Sequence, residues 1–127
     1  PHINEWTRKR QEAAMIYNNL LEDVAEIEVP YVELNRDHVY HLYMIKTEKR
    51  DSLRQHLNDC SISAEINYSS NLPLYKAYNY LNHKPSDFPN AYSNQDQILS
   101  LPIFPEITIN QQEYVVREIK NFISNNN

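Results

Sequence analysis

The chain contains no glycine, and this absence restricts its turns and loops more than any other feature of the sequence. Average usage of about 7% would place roughly nine glycines in a chain of this length. Glycine adopts positive φ angles at little cost, so other residues must make every left-handed turn. Asparagine tolerates that conformation better than most residues. We expect it to form the turns at Asn58, Asn71, Asn82, Asn90 and the frayed tail 125–127.

Several classes of function are excluded by the same absence and by the charge of the chain. Phosphate-binding loops, dinucleotide fingerprints and nucleophile elbows all require glycine. A net charge of −5, from 12 basic and 17 acidic residues, argues against a nucleic-acid partner. No apolar run approaches the roughly 20 residues that span a bilayer, and the first residues lack the apolar centre of a signal peptide. We therefore expect a cytoplasmic protein without membrane contact.

Residues 2–24 carry the periodic pattern of an amphipathic helix longer than five turns. Its apolar seam comprises Ile3, Trp6, Arg10, Ala13, Tyr17, Leu20 and Val24. Arg10 is the charged member of this seam, and it either pairs with a buried carboxylate or lies at the edge with its head in water. The acidic residues after the helix, Glu22, Asp23, Glu26 and Glu28, are interpreted as a solvated surface.

The central part of the chain predicts a strand, a helix and a second strand. The segment "HVYHLYMIKT", 38–47, is rich in aromatic and β-branched residues, and both of its faces are mostly apolar, as in a central strand. "KRDSLRQHLNDC" has Leu53 and Leu57 on one helical face, and residues 62–68 alternate again. We predict a small α/β (α+β) domain of two layers. A mixed or antiparallel sheet of about three strands would pack against helices, after the long first helix.

The second half of the chain is divided by prolines. We predict a short helix from Pro73, another near 90–99, and a short edge strand in "SLPIFP". A final helix is expected from about Asn110 to Ser124, with Asn110 as its cap and Val115, Ile119 and Phe122 on its apolar face.

Neither a catalytic pair nor a metal site is predicted from the residues. No serine can be placed beside a histidine, and His38 and His41 would point to opposite faces of a strand. Cys60 is the single cysteine and has no second sulfur or histidine pair to complete a metal site. We interpret it as a small half-buried residue at a helix end.

Tyrosine is the residue type that suggests binding. Tyr68, Tyr75, Tyr78 and Tyr80 fall within thirteen positions around a single proline. A tyrosine offers apolar area and one hydroxyl, which suits contact with a sugar or base and equally suits a core or a subunit interface. Composition alone favours packing, and ligand contact remains the second interpretation.

The order of the segments resembles a known family. "HVYHLYMIK", the strand ending in "NY" followed by "PLY", and "DFPNAY" leading to "LSLPIFPEIT" resemble the C-terminal small domain of the DegT/DnrJ/EryC1/StrS family, which are pyridoxal-phosphate-dependent nucleotide-sugar aminotransferases. "INEWTRKRQEAAMIYNNLL" resembles the long helix that joins the family's two domains. The resemblance covers essentially all of residues 1–127, as a single domain.

The resemblance implies that the chemistry lies elsewhere. In the family, an N-terminal domain supplies the Schiff-base lysine and binds pyridoxal phosphate. No such region is present here, so the resemblance implies a chain that neither binds the cofactor nor transaminates alone, and no lysine is a candidate catalyst. It implies as partners the missing cofactor domain, a nucleotide-linked keto-sugar and a second copy in a homodimer. The alternative is a non-catalytic remnant or a protein-interaction module.

The candidate sugar-binding residues, Asn67, Tyr68 and Tyr75, also follow from the resemblance. The family usually has histidine-tyrosine where this chain has Asn67 and Tyr68, and "PLH" where it has "PLY", ending at Tyr75. Asn67 keeps hydrogen-bonding groups but removes a titratable one, so binding could persist while proton transfer could not. The family also usually has glycine before isoleucine, where this chain has Ser61 and Ile62.

Overall fold

The computed structural model describes residues 2–126, so Pro1 and the last residue of the predicted tail, Asn127, lie outside it. Its helices and strands follow in the order α1 (Ile3–Leu21), β1 (Tyr43–Lys46), α2 (Arg50–Asp59), α3 (Pro89–Asn94), β2 (Ile98–Leu101) and α4 (Ile109–Asn125). Three short 3₁₀ segments lie between α2 and α3, at Leu72–Leu74, Lys76–Leu81 and Pro85–Asp87. Asn125 belongs to α4, so the predicted frayed tail is helical there.

The sheet has two antiparallel strands, where the sequence predicted about three. Tyr43 of β1 lies opposite Leu101 of β2. The predicted third strand, 62–68, contributes one bridge, between Glu65 and Ser100. β2 has only four residues, and Pro102 after it has no N–H to extend the ladder, so the neighbouring segment finds few partners. Its predicted alternation holds in part, since Ile62 and Ala64 are buried and Ser63 and Glu65 exposed.

β1 is shorter than the predicted strand 38–47 and is buried on one face. Tyr40 has a φ of 47°, and its N–H donates to Nδ1 of His38 at 2.9 Å, which forms a local turn before the strand. Tyr43 and Ile45 are fully buried, whereas Met44 between them is 38% exposed. The prediction of two buried apolar faces was therefore wrong, although β1 does have a partner on each edge, β2 on one and Glu28 through a single bridge to Lys46 on the other.

The core is formed where α1 and α2 pack on α4 and on the small sheet. α1 buries Ala13, Ala14, Tyr17 and Leu21, but Ile3 and Trp6 in its first turns are 64% and 44% exposed. The predicted seam is thus buried only in its second half. Arg10 is half-buried, and its Nε has no hydrogen-bond partner among the described residues.

Only one of the predicted asparagine turns is left-handed. Positive φ angles occur at Asn35, Tyr40, Ser61 and Asn82. Asn58 and Asn90 instead lie inside α2 and α3, and Asn71 is extended. Those three predictions were wrong. At Asn58 the side chain acts as an acceptor instead, since its Oδ1 accepts from the N–H of Ala64 at 3.2 Å.

The helices predicted for the second half of the chain are found with different ends, and one of them is replaced by 3₁₀ turns. The segment after Pro73 forms 3₁₀ turns rather than an α-helix, and α3 ends at Asn94. α4 begins earlier than predicted, because Thr108, not Asn110, is its cap. The Thr108 hydroxyl accepts from the N–H of Gln111, and the Gln111 side chain accepts from the N–H of Thr108. Within residues 2–126, no helix has both the length and the apolar content for a membrane span.

Candidate functional site

The candidate residues lie at the start of a long segment that has no fully buried residue, although Ile66 packs against the edge of the core. No residue from Glu65 to Ile98 is buried. We call residues 68–94, which contain the three 3₁₀ segments and α3, the tyrosine-rich arm. Exposed apolar area of this extent is typical of a surface that contacts another molecule or domain.

The arm is attached to the core through a chain of hydrogen bonds. Arg50, buried at the start of α2, donates through Nη1 to the carbonyl of Gln95 at 2.7 Å. The Gln95 side chain accepts from the N–H of Asn71 at 2.9 Å. These bonds join both ends of the arm to α2, so the position of the arm is determined by the core although the arm itself is exposed.

Asn67 lies in the wall of a cleft between the sheet edge and the segment before β1. The cleft has a volume of about 280 Å³. Its lining residues are His41, Leu42, Ser63, Glu65, Asn67, Ser100, Leu101, Pro102 and Ile103. Ser100 Oγ, on β2, is buried there without a hydrogen-bond partner among the described residues. The cleft thus presents an amide, a carboxylate and an imidazole to any polar ligand that enters it.

Tyr68 and Tyr75 lie in a different concavity, formed by the arm itself. This hollow has a volume of about 460 Å³ and is lined mainly by apolar atoms of Tyr68, Ser70, Leu72, Tyr75, Ala77 and Tyr78. Tyr68 is 73% exposed at its edge. The hollow has the aromatic lining that suits the flat face of a sugar or base.

The structure therefore separates two residues that are adjacent in sequence. Asn67 faces the cleft together with Ser63 and Glu65, as the alternation of an extended segment predicts, and Tyr68 points to the other side. The peptide bond between Asn67 and Tyr68 is cis. Tyr68 and Tyr75 are brought together in one hollow, and Asn67 is not part of it.

A second group of chemically active side chains was missed by the sequence analysis. Cys60 lies at the end of α2, half-buried as predicted, but His56 and Glu118 lie beside it. Desolvation raises the pKa of the Cys60 thiol, and the Glu118 carboxylate raises it further. The hydrogen bond from Asn121 lowers the pKa of Glu118, and the nearby Arg117 adds to this effect. A helical spacing of four between His56 and Cys60 was the signal available in the sequence.

Comparison with known proteins identifies the family. The sequence profile of the DegT/DnrJ/EryC1/StrS aminotransferase family matches residues 1–120. The chain belongs to this family. The resemblance inferred from "HVYHLYMIK" and "LSLPIFPEIT" is thereby confirmed at the level of the family.

The relatives are all much longer than this chain. A "pleiotropic regulatory protein" of Geobacillus stearothermophilus is 37% identical over 124 residues, which cover 96% of this chain and 33% of the relative. A "dTDP-3-amino-3,4,6-trideoxy-alpha-D-glucose transaminase" of Streptomyces venezuelae is 31% identical over 95% of this chain and 32% of its own length. The chain thus spans about a third of the curated relatives that it matches.

A solved structure of the family has the same fold over nearly the whole chain. The crystal structure of DesV from S. venezuelae, in complex with a ketimine intermediate, superposes with a TM-score of 0.89 and 30% identity. The match covers 95% of this chain and 33% of DesV. The α1–α4 arrangement therefore corresponds to about a third of the DesV fold.

The residues described here do not fit pyridoxal phosphate, the cofactor that the family implies. A Schiff-base lysine must lose its proton in a desolvated pocket, and none of the six lysines is buried. Lys46 and Lys49 line a cleft of about 310 Å³, but Glu26, Glu28 and Glu48 line it as well. Lys46 Nζ lies 2.6 Å from a Glu28 oxygen, so this amine is already occupied by an ion pair. The carboxylates would also repel a phosphate.

Proposed function

We propose that this chain is the C-terminal small domain of an aminotransferase that acts on a nucleotide-linked keto-sugar, in the synthesis of polysaccharides or deoxyamino sugars. Its role is to form one wall of the sugar site. Pyridoxal phosphate and the lysine that binds it belong to an N-terminal domain of the complete protein, which would function as a cytoplasmic homodimer. The chain alone neither binds the cofactor nor catalyses transamination.

The observation that carries this proposal is the exposed tyrosine-rich arm on a fold that matches one third of a sugar aminotransferase. The arm is anchored to the core by Arg50 and Gln95, yet none of its residues is buried. The exposed first turns of α1, with Ile3 and Trp6, are a second apolar surface without cover in this chain. Both surfaces are accounted for if the rest of the enzyme packs against them.

Asn67, Tyr68 and Tyr75 have different roles in this proposal. Asn67 would donate and accept hydrogen bonds with sugar hydroxyls from the cleft wall, without transferring a proton at neutral pH. Tyr68 and Tyr75 would contact the sugar or the base through their rings in the arm hollow. The nucleotide sugar would then extend from the hollow towards the cleft when the cofactor domain covers both.

The test uses the complete reading frame that contains this sequence, expressed and loaded with pyridoxal phosphate. We expect transamination of a dTDP- or UDP-linked keto-sugar with glutamate as amino donor. In Asn67→Ala, KM for the sugar should rise about five- to tenfold with little change in kcat, the effect of one lost hydrogen bond. Asn19→Ala, an exposed change on α1, is the matched control. Equal KM values in the two variants would remove Asn67 from the site, and a reading frame without a cofactor domain would overturn the proposal.

A second candidate function is a non-catalytic interaction module of the same fold. Two observations favour it: Tyr68 is exposed rather than enclosed, and a 37% identical relative carries the name of a regulatory protein. In that case the arm would bind another protein, and Asn67 would have no substrate. The two functions are distinguished by the same experiment, because an interaction module would retain partner binding in Asn67→Ala and would show no sugar turnover in any variant.

A further inference from the structure

Three side chains with metal-binding atoms meet between α2 and α4. His56 and Cys60 lie one helical turn apart on α2, and Glu118 reaches them from α4. The three side chains differ in donor type, offering an imidazole nitrogen, a sulfur and a carboxylate oxygen. None of them belongs to the cleft of Asn67 or to the arm hollow.

The three donor atoms form a nearly equilateral triangle. His56 Nε2 lies 3.9 Å from Cys60 Sγ, Cys60 Sγ lies 3.8 Å from Glu118 Oε2, and His56 Nε2 lies 3.7 Å from the same oxygen. The centre of such a triangle is about 2.2 Å from each corner, within the range of Zn²⁺ bonds to nitrogen, oxygen and sulfur. An ion could therefore sit among the three atoms with little movement of either helix.

The side chains are held in place by contacts outside the triangle. The His56 ring packs on Phe122 at 5.5 Å between centroids. The Glu118 oxygen that faces the triangle accepts from Asn121, and its other oxygen accepts from Arg117. The Cys60 carbonyl accepts from the Tyr114 hydroxyl at 3.1 Å. Such outer hydrogen bonds orient ligands and reduce the entropy lost on metal binding.

We propose that His56, Cys60 and Glu118 bind one Zn²⁺ ion. Mixed nitrogen, sulfur and oxygen donors select zinc over magnesium and calcium, which prefer oxygen alone. On binding, the thiol releases its proton to solvent and the thiolate coordinates the ion, while a water molecule fills the fourth position. The side chain of Glu118 is 15% exposed and that of His56 is 30% exposed, so the ion would be half-buried and accessible from one side. The site would join α2 to α4.

Binding is tested on the full 127-residue chain by titration with Zn²⁺ and with Co²⁺ as a spectroscopic probe. We expect one ion per chain and, with Co²⁺, a thiolate-to-metal charge-transfer band together with the visible bands of a four-coordinate ion. Cys60→Ser should abolish the charge-transfer band. Glu118→Gln should weaken Zn²⁺ binding at least about 100-fold. The loss of a metal ligand lowers the affinity more than the loss of a residue that only hydrogen-bonds to a ligand. His83→Ala, which alters an exposed histidine near Asp87, is the control and should bind as the parent does.

Two results would overturn the proposal. One is a Co²⁺ spectrum without a thiolate band in the folded parent chain. The other is Zn²⁺ binding that is unchanged in both Cys60→Ser and Glu118→Gln, since it would then arise from other surface groups. Circular dichroism of each variant establishes that the helices are intact, and Glu118→Gln remains informative if Cys60→Ser does not fold. Sugar turnover is not part of this test, so its outcome is independent of the proposed function.

Discussion

At the scale of single residues, Ser61 illustrates how a chain without glycine ends a helix. The N–H of Ile62 donates to the carbonyl of Leu57, and the N–H of Ser61 donates to the carbonyl of Asn58, both at 2.9 Å. This is the Schellman arrangement, which requires a left-handed residue, and Ser61 has a φ of 60°. Serine carries a Cβ that disfavours this conformation, so the helix ends at a small energetic cost.

Replacing Ser61 with glycine is expected to stabilise the fold. The left-handed conformation costs a residue with a side chain about 1 to 2 kcal/mol relative to the right-handed one. Glycine loses more conformational entropy on folding than a residue with a side chain does, which offsets about 0.5 to 1 kcal/mol of this gain. We expect a net gain of about 0.5 to 1 kcal/mol in the free energy of unfolding, measured with urea. Ser63→Gly, in an extended exposed position, should instead lower it, and equal losses in both variants would contradict the role assigned to Ser61.

A buried tyrosine pair lies at the centre of the core. Tyr17 and Tyr43 are stacked with ring centroids 4.9 Å apart, and desolvation raises the pKa of both hydroxyls. The Tyr17 hydroxyl donates to the carbonyl of Pro102 and the Tyr43 hydroxyl to Oδ1 of Asn18 at 2.7 Å. The pair thereby joins α1 to β1 and to the residue that follows β2.

Tyr43→Phe is expected to lower the free energy of unfolding by about 1 kcal/mol. The ring remains packed, but Asn18 loses its hydrogen-bond donor in a partly buried place. Tyr80→Phe removes a hydroxyl from an exposed residue of the arm and should change stability by less than about 0.5 kcal/mol. Equal effects of the two changes, in thermal or urea unfolding, would show that the bond to Asn18 is not stabilising.

At the scale of elements, α4 is the helix on which α1 and α2 pack. It buries Gln112, Val115, Val116, Ile119, Phe122 and Ile123. Gln112 donates through Nε2 to the carbonyl of Ala13 at 2.7 Å, so α1 and α4 are joined by a buried polar contact as well as by apolar ones. The start of α4 therefore affects the whole core.

The cap of α4 provides a direct test. Thr108→Ala removes the hydroxyl that accepts from the N–H of Gln111 and should destabilise the protein by about 1 kcal/mol. Asn110→Ala, at the cap position predicted from the sequence, should have an effect near zero, because Asn110 lies inside the helix and is exposed. The comparison is made by chemical unfolding of both variants. A larger loss in Asn110→Ala would reverse the assignment of the cap.

At the scale of the whole molecule, the chain divides into a compact core and an exposed arm. The core residues of α1, α2, α4 and the sheet form one buried cluster, and no member of it comes from residues 65–98. In backbone hydrogen exchange we expect the amides of Tyr43, Ile45 and Ile119 to be protected. The amides of the arm should exchange early, because few buried apolar contacts oppose local opening.

The same measurement on the complete protein tests the proposed covering of the arm. Amides in residues 68–94 should become more slowly exchanging when the cofactor domain is present, while those of α4 should change little. The arm contains Tyr68, Tyr75 and Tyr78, so protection there would coincide with closure of the hollow. Unchanged exchange in the arm would mean that another surface covers the chain.

Much of the fold follows from local patterns in the sequence. The spacing of Leu53 and Leu57 predicted α2. Val115, Ile119 and Phe122 predicted the buried face of α4, and the observed ends of α4 lie within one or two residues of the predicted ones. Helical periodicity depends on neighbours three and four residues apart, so a single sequence contains it. Family membership was also predicted, from the order of short segments, and the match over residues 1–120 confirmed it.

The number of strands, the turns and the clustering of side chains required the tertiary structure. Whether residues 62–68 form a strand depends on how many backbone hydrogen-bond partners β2 offers. The number of paired residues in β2 cannot be read from the local sequence. Tyr40 and Ser61 adopt left-handed angles because their surroundings require it, although asparagine tolerates these angles better. The alternation along residues 62–68 already placed Asn67 and Tyr68 on opposite sides, and the tertiary structure added the cleft that Asn67 lines with His41.

The sequence by itself determined α1, α2, α4 and the family, because each of these depends on residues close together along the chain. The tertiary structure decided which distant residues meet. Glu118 follows Cys60 by 58 positions, and only the packing of α4 on α2 brings its carboxylate to the thiol and to His56. Packing depends on the shape of the whole core, so a contact of this kind has no local signature in the sequence.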